Sequence, residues 1–287
     1  MKAIVLAFAA CVFSGAPALA DPQRAFSPQS GAEWRLTENR VSNGVASVVT
    51  GRIKVVKAAP DELDMEWTTL SVTVGGRIIE NNPDLLVGVP IAYLASPEGQ
   101  PAAIVDPDTL NARASDALRK LGKPISAADA AEIKKFYASM PADVLAGRLL
   151  VEPGFFGVCH NLSFADGTKL SGDIQTPNAL GGAPILAHLT IEQLDPGSAS
   201  KPVVIRIKQS LDPASAKKSM KETLDKFRAA KGLLPEQDPG TITQDIETSC
   251  KLDYATGEAR WIKSSSTLKV GGQQNSDVRE ITIEPLR

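Results

Sequence analysis

The sequence predicts an α+β protein in which helices pack on one face of a curved, mostly antiparallel sheet. Two observations support this prediction. Segments rich in Val, Ile and Thr follow one another with short turns between them, which is typical of antiparallel hairpins. The segments with helical spacing are grouped near residues 110–149 and 212–231 instead of alternating with the strands, which favours α+β over α/β.

The first strands are predicted as hairpins. Asn43-Gly44 separates residues 32–42 from residues 45–56, and an Asn-Gly pair supplies the two positive φ angles of a type I′ turn. Further strands in this half are predicted over residues 63–74, 77–79, 89–95 and 102–105.

Helical spacing dominates the middle of the chain, over residues 110–121, 127–140 and 141–149. Ser126 and Asp129 resemble a capping box at the start of the second of these helices. Its apolar stripe consists of Ala130, Ile133, Phe136 and Tyr137.

Strand patterns then return and are interrupted by one further helix. The strands are predicted over residues 155–160, 162–170, 185–194, 203–209, 246–254, 259–270 and 278–283. Asp212 suits the N-cap of a helix over residues 214–231, with Pro213 in its first turn and Gly232 at its end. The buried stripe of this helix is predicted to be Ala216, Met220, Leu224 and Phe227.

Residues 1–20 have the pattern of a secretory signal peptide. A cationic start precedes an apolar run over residues 3–13, and Ala18-Leu19-Ala20 forms a small-x-small cleavage site. Cleavage before Asp21 removes 20 of the 287 residues and leaves 267. The sequence therefore predicts an exported, periplasmic or secreted domain over residues 21–287, built as one unit or as two coupled halves, residues 21–150 and 151–287.

The charge of the mature chain argues against several partners. The signal carries one lysine and no acidic residue, so its removal takes the net charge from −2 to −3. A slightly acidic chain without a Lys/Arg run is not expected to bind nucleic acid. No second apolar stretch approaches the roughly 18 residues of a membrane-spanning helix, so no transmembrane segment is predicted.

Two cysteines remain after signal cleavage, because Cys11 leaves with the signal. Cys159 and Cys250 form an even pair in an oxidising compartment, which predicts a disulfide. The 91-residue loop that it closes would stabilise the fold by about 4–5 kcal/mol in the chain-entropy model.

Motifs of catalysis, cofactor binding and metal binding are missing from the sequence. The mature chain has two histidines, His160 and His188, and lacks HExxH and CxxC spacings. It also lacks a G-x-S-x-G elbow and the glycine-rich loops that hold phosphates. No catalytic, cofactor or metal residue is therefore predicted, and no cofactor is expected.

Two enzymatic alternatives stay open. The first uses Cys159 as a nucleophile with His188 as its base, and it requires Cys250 to stay unpaired. The second uses a carboxylate pair on one strand face, either Asp64 with Glu66 or Asp245 with Glu247. Aromatic residues make up only 5% of the chain, which argues against a carbohydrate cleft.

The end of the chain carries a family resemblance. Residues 250–258, Cys-Lys-Leu-Asp-Tyr-Ala-Thr-Gly-Glu, lead into a Ser/Thr-rich strand that ends at Gly271-Gly272. This hairpin resembles one found in exported bacterial proteins of unknown function that are similar to periplasmic lipoprotein-carrier half-barrels. The resemblance implies an open sheet that accommodates a ligand, and it assigns no functional residue.

These observations favour a non-enzymatic periplasmic binding or envelope-support protein. Its expected partners are a lipid or another apolar small molecule, and a protein of the cell envelope. A hydrolase and a protein-interaction module are the alternatives.

Overall fold

The computed structural model describes most of residues 25–286. The described residues are 25–79, 86–110, 112, 119, 126–138, 142–162, 164, 169–176, 178, 183–230 and 240–286. The predicted signal peptide and most of the helix predicted over residues 110–121 lie outside them.

A single large antiparallel sheet forms the body of the described chain. Its strands are β1 (Glu33–Ser42), β2 (Val45–Ala58), β3 (Leu63–Val74), β4 (Arg77–Ile78), β5 (Pro90–Ala95), β6 (Pro101–Ile104), β7 (Lys169–Thr176), β8 (Ile185–Asp195), β9 (Val203–Leu211), β10 (Ile242–Leu252), β11 (Ala259–Val270) and β12 (Gln273–Pro285). Their order in the sheet is β6-β5-β3-β2-β1-β12-β11-β10-β9-β8-β7, and β4 pairs with β3.

The first and last strands pair with each other. β1 and β12 are antiparallel, with a register that runs from Trp34 opposite Pro285 to Ser42 opposite Asp277. The sheet therefore continues from the first half of the chain into the second. Whether residues 21–287 behave as one unit or as two coupled halves stays a prediction.

The predicted α+β class is wrong. The described helices are few, and they form no layer over a face of the sheet. They are α1 (Ala127–Ala138), α2 (Ala142–Leu149), α3 (Val151–Phe156) and α4 (Pro213–Ala230). A single sheet, in which many consecutive strands pair as antiparallel hairpins and β1 pairs with β12, takes the place of the layered arrangement that the grouped helices predicted.

The two faces of the sheet differ in polarity. Side chains alternate along each strand, and the face that we call the inner face carries most of the core. Buried residues on it include Leu36, Ile53, Met65, Trp67, Tyr93, Leu189, Ile205, Ile262 and Ile281. The opposite, outer face carries ion pairs between neighbouring strands, such as Arg206 with Glu192 (2.6 Å) and Lys208 with Glu247 (3.2 Å). The inner face is therefore the apolar one.

The strand predicted over residues 155–160 is wrong. Phe155 and Phe156 end α3, and residues 157–161 form a turn. Aromatic residues favour strands, but here packing overrides that preference, because Phe156 and Cys159 are both fully buried in the core.

The helix predicted after Asp212 is present as α4. The Asp212 Oδ1 atom accepts a hydrogen bond from the Ser215 N–H (2.7 Å), which makes Asp212 its N-cap. Ala216 is fully buried and Met220 packs beside it, in a small cluster with Ile185 of β8 and Ile242 of β10. Leu224 is only half-buried, and the Phe227 side chain lies outside the description.

Within the described part of the chain, no helix combines the length and the apolar character needed to cross a membrane.

Candidate functional site: a buried charge cluster on the inner face

A disulfide holds the segment after α3 against the sheet. Cys159 is bonded to Cys250 of β10, with 6.5 Å between their Cα atoms, and both residues are fully buried. The predicted bridge is therefore present. Neither sulfur is a free thiol, so the alternative that uses Cys159 as a nucleophile loses its nucleophile.

The His160 side chain also has a structural role, because both of its ring nitrogens form hydrogen bonds within the protein. The His160 Nδ1–H donates to the Glu98 carbonyl (2.8 Å), and the Ala259 N–H donates to His160 Nε2 (3.0 Å). The ring stacks on Phe26, with 3.9 Å between the centroids. Burial lowers the pKa of His160 to about 4, so the ring is neutral at pH 7. Both ring nitrogens are occupied, and His160 works as a buried link between segments.

Five charged residues meet where α3 contacts the inner face. Arg279 of β12 donates from Nη1 to Glu38 Oε1 of β1 (3.1 Å) and from Nε to Asp277 Oδ2 (2.8 Å). The Arg40 Nε–H donates to Asp277 Oδ1 (2.6 Å), and Glu152 of α3 lies against Glu38. We call Glu38, Arg40, Glu152, Asp277 and Arg279 the inner-face charge cluster.

The cluster has an aromatic neighbour on α3. The Arg279 guanidinium lies over the Phe155 ring, with 5.3 Å between Cζ and the ring centroid. A cation over a ring face is stabilised by the quadrupole of the ring. Because α3 supplies both Phe155 and Glu152, the disulfide that holds the end of this segment also helps to position one side of the cluster.

The pKa values in the cluster follow from burial and from the two arginines. Burial would raise the pKa of Asp277, but the hydrogen bond from Arg40 and the charge of Arg279 outweigh it, so the pKa of Asp277 is lowered. Burial would lower the pKa of Arg279, but the charges of Glu38 and Asp277 outweigh it, so the pKa of Arg279 is raised. Both groups are therefore charged at pH 7.

Glu38 behaves differently from these two groups. Burial raises its pKa to about 7, and the neighbouring Glu152 carboxyl adds to this effect, while the charge of Arg279 opposes it. Glu38 is 1% exposed, and no donor among the described residues reaches its Oε2 atom. A buried carboxyl oxygen without a donor is costly. The hydrogen bond between the Glu38 and Glu152 carboxyls, which also raises the pKa of Glu38, requires a proton on one of them.

The inner-face charge cluster lies between two regions of the inner face that differ in how deeply their side chains are buried. On one side lie the fully buried side chains around α3, among them Leu36 and Ile281. On the other side three inner-face valines are less covered: Val49, which is opposite Glu38, is half-buried, and Val45 and Val74 are 54% and 37% exposed. Ser42 and Ser47 lie beside them, and Val72 is buried. We call Val45, Val49 and Val74 the open zone.

The structure does not assemble the enzymatic alternatives. His188 lies on the outer face of β8 and is exposed, whereas Cys159 is buried in the core. Asp245 accepts a hydrogen bond from Ser210 (2.7 Å), and Glu247 pairs with Lys208 (3.2 Å).

The carboxylate pair Asp64 and Glu66 also lies on the face of a single strand, next to lysines of the neighbouring strand. Asp64 and Glu66 are half-buried on β3, opposite Lys57 and Lys54 of β2. Among the described residues, no group of three or more His, Cys, Asp and Glu side chains is arranged to hold a metal ion.

Sequence reasoning missed the inner-face charge cluster, although a local signal exists. Glu38 continues the alternation of the buried residues Trp34 and Leu36, and Arg279 precedes Ile281 and Ile283 in the same way. A charged residue at a buried position of a strand usually has a partner. The identity of that partner depends on the pairing of β1 with β12, whose positions are 241 residues apart for this pair.

Fold and site together define a class: an antiparallel β protein with one large sheet and a buried charge cluster on its apolar face. No family model matches the chain, and no curated protein matches it. The resemblance to lipoprotein-carrier proteins therefore stays a prediction.

Two solved structures are similar to the chain at 8% sequence identity. One, on lipid–protein interactions in lipovitellin, has a TM-score of 0.43; the similarity covers 91% of this chain and 25% of that one. The other, a porin-like protein from Bacteroides uniformis, has a TM-score of 0.24 over 91% of this chain and 99% of that one. Both TM-scores are below 0.5, so neither similarity supports an argument about this protein.

Proposed function

We propose that the mature chain is a binding protein of the periplasm or the extracellular space, and that it holds an amphiphile on the inner face of its sheet. The polar group of the ligand donates a hydrogen bond to Glu38, and its apolar part lies on the open zone. The observation that supports this proposal most directly is the buried Glu38 carboxyl, whose Oε2 atom has no donor among the described residues.

The chemistry of the inner-face charge cluster restricts the class of ligand that can bind there. Arg279 donates to Glu38 and Asp277, and Arg40 donates to Asp277. The buried polar atom of the cluster that has no partner among the described residues is an acceptor, Glu38 Oε2. Carboxyl oxygens accept from ammonium and hydroxyl groups. A long-chain amine or alcohol therefore suits this site better than a fatty acid, whose carboxylate would face Glu38 and Glu152.

The apolar part of such a ligand has a surface beside the cluster. Val49 lies directly opposite Glu38, Ser42 lies opposite Val45, and Ser47 lies opposite Val74. Covering half-exposed apolar side chains contributes about 25 cal/mol for each Å² removed from water. The proposed orientation therefore satisfies a buried acceptor and covers exposed apolar surface at the same time.

Export is part of the proposal. A disulfide between Cys159 and Cys250 is stable in the oxidising periplasm or outside the cell, and such bridges are rare in the cytosol. The signal pattern of residues 1–20 leads to the same compartment.

The test uses three C12 probes that differ only in their polar end: dodecylamine, dodecanol and dodecyl methyl ether. Binding to the mature protein is measured by native mass spectrometry and by isothermal titration calorimetry. We expect the amine and the alcohol to bind at least about tenfold tighter than the ether, since the ether has no donor for Glu38.

Two variants complete the test. Glu38→Gln should remove the preference for the amine and the alcohol over the ether, and Val45→Ser should weaken all three probes alike. Lys218→Ala, on the exposed side of α4, is the matched control and should change nothing. Equal affinities for the three probes in the wild-type protein would show that Glu38 does not receive the polar group.

A further inference from the structure

A second group of polar side chains lies on the outer face, at one edge of the sheet. Among the described strands, β7 is the last in the sheet order and pairs with β8. Asp173 of β7 is directly opposite His188 of β8, and Ser171 is directly opposite Thr190. Since positions two apart on a strand share a face, these four side chains form two neighbouring cross-strand pairs.

Three of these residues form a hydrogen-bonded chain. His188 Nδ1 is 3.0 Å from Asp173 Oδ1, and His188 Nε2 is 3.0 Å from Ser171 Oγ. With its proton on Nδ1, the imidazole donates to Asp173 and accepts from the Ser171 hydroxyl. This is the order of groups that activates a serine: a nucleophile, a base and a carboxylate that orients the base.

We propose that Ser171, His188 and Asp173 form a hydrolytic site for small carboxylic esters. Ser171 Oγ attacks the ester carbonyl while His188 takes its proton, and the alcohol then leaves with that proton as the C–O bond breaks. Water, deprotonated by His188, hydrolyses the acyl-serine, releases the carboxylic acid and restores the Ser171 hydroxyl. No oxidant, cofactor or metal is needed for this sequence of steps.

The fourth residue supplies a donor near the reacting atoms. Thr190 Oγ1 is 3.2 Å from Ser171 Oγ, so its hydroxyl can donate to the oxygen that becomes negative when the carbonyl is attacked. Ser171 Oγ also lies 3.4 Å from the Leu189 carbonyl oxygen, which competes for the serine proton. We therefore assign the stabilisation of the intermediate to the Thr190 hydroxyl, on the basis of its distance to Ser171 Oγ.

The exposure of the site limits its substrates and its rate. The side chains of His188 and Asp173 are 58% and 68% exposed, so water screens their charges. A solvent-exposed site of this kind suits small esters with a good leaving group. This activity lies on the face opposite the inner-face charge cluster and does not depend on the proposed amphiphile binding.

The test combines labelling with turnover of p-nitrophenyl acetate by the mature protein. A fluorophosphonate probe should label Ser171, as peptide mapping by mass spectrometry can show. Ser171→Ala and His188→Gln should each lower kcat/KM by at least about tenfold, in line with the contribution of a general base. Asp173→Asn should lower kcat more than it changes KM, and Asp173→Glu should restore part of the loss.

Ser210→Ala is the matched control. Ser210 also lies on the outer face, directly opposite His188 on the other neighbouring strand, but its hydroxyl donates to the Asp245 carboxylate (2.7 Å) and not to the imidazole. Circular dichroism and the melting temperature of each variant separate a loss of activity from a loss of fold.

Two outcomes would overturn the proposal. One is labelling of Ser210 as strongly as Ser171, or labelling of neither residue. The other is a Ser171→Ala variant that keeps the full rate while His188→Gln loses it, because the imidazole would then react with the ester by itself. The Ser171→Ala variant should bind amphiphiles as tightly as the wild type does. If the hydrolytic proposal fails, the proposed binding function can therefore still be tested separately.

Discussion

Glu38 makes the stability of the protein depend on pH in a way that a single substitution can isolate. Its pKa is about 7 in the folded protein and about 4.5 in an unfolded chain, so the folded state holds one more proton between these two values. Stability from this group is therefore complete below about pH 4.5 and is lost as the pH rises through about 7.

We predict that Glu38→Gln gains stability relative to the wild type as the pH rises from 4.5 to 8. The gain should be about 2–4 kcal/mol, at about 1.4 kcal/mol for each unit of pKa difference. Urea unfolding at several pH values measures it. His160, whose pKa is lowered to about 4, has the opposite dependence over about pH 4 to 6.5, but it is present in both proteins and cancels in their difference. A constant difference between the two proteins would contradict the prediction.

Gly51 shows how one missing side chain shapes the core. A Cβ atom at this position would lie 1.9 Å from Cη2 of Trp67, whose indole N–H donates to Thr69 Oγ1 (3.1 Å). The Trp67 ring therefore occupies the space that a side chain would fill, between two strands of the fully buried part of the sheet.

We predict that Gly51→Ala lowers the free energy of unfolding by about 1–3 kcal/mol, because the Trp67 ring must move out of its position. Gly172→Ala on β7 is the matched control, since a Cβ there meets no atom within 4 Å, and it should stay within about 0.5 kcal/mol. Urea unfolding followed by tryptophan fluorescence gives both values. Equal effects at the two positions would show that the Trp67 ring has room to shift.

Single residues were predictable where their chemistry depends on nearby sequence. The turn at Asn43-Gly44 is confirmed, with φ angles of 48° and 81°, and so is the Cys159–Cys250 disulfide. The cross-strand neighbours of His188 were not predictable, because Ser171 and Asp173 reach it only through the register of β7 with β8. Register is set by packing across the whole sheet, which no short motif records.

At the scale of elements, α4 begins where its capping signal predicts. Asp212 caps the helix through its hydrogen bond to the Ser215 N–H, and the backbone N–H of Ala216 donates to the Asp212 carbonyl. The first turn also brings Ala216 into the cluster with Ile185 and Ile242, so the cap and the packing act at the same end of the helix.

We predict that Asp212→Ala lowers the free energy of unfolding by about 1 kcal/mol, since the first-turn amide loses its acceptor. Lys218→Ala in the same helix is the control and should stay within about 0.5 kcal/mol. Thermal unfolding followed by circular dichroism compares the two variants. If Asp212→Asn is as destabilising as Asp212→Ala, the capping explanation fails, because asparagine caps helices as well as aspartate does.

For the molecule as a whole, the fold class was the part of the prediction that failed, and the reason is physical. Local sequence signals place strands and turns well, as the β1–β2 hairpin shows. They do not record how many strands join one sheet, because that depends on pairs such as β1 with β12, at opposite ends of the chain. The grouped helical segments therefore led to the prediction of a helical layer on the sheet, which the described structure does not have.

The Cys159–Cys250 bridge connects this whole-molecule arrangement to the proposed site. It ties the segment after α3 to β10, in the half of the sheet that reaches β1 only through β11 and β12. Without the bridge, α3 keeps its apolar contacts through Leu150 and Phe156, but its end is held by packing and by the hydrogen bonds of His160 alone. The bridge therefore adds one covalent link to the contacts that hold α3, and with it Glu152, against the sheet.

We predict that reduction of the mature protein lowers its free energy of unfolding by about 4–5 kcal/mol, the chain-entropy value for a loop of this length. It should also weaken dodecylamine binding, because Glu152 and Phe155 lose their fixed position on the cluster. Urea unfolding and calorimetry with and without dithiothreitol measure the two effects. The Cys159→Ala/Cys250→Ala double variant is the control: it should match the reduced protein and show no response to dithiothreitol. A reduced protein that loses stability but binds dodecylamine as tightly as before would separate the two roles, and would mean that packing alone positions α3.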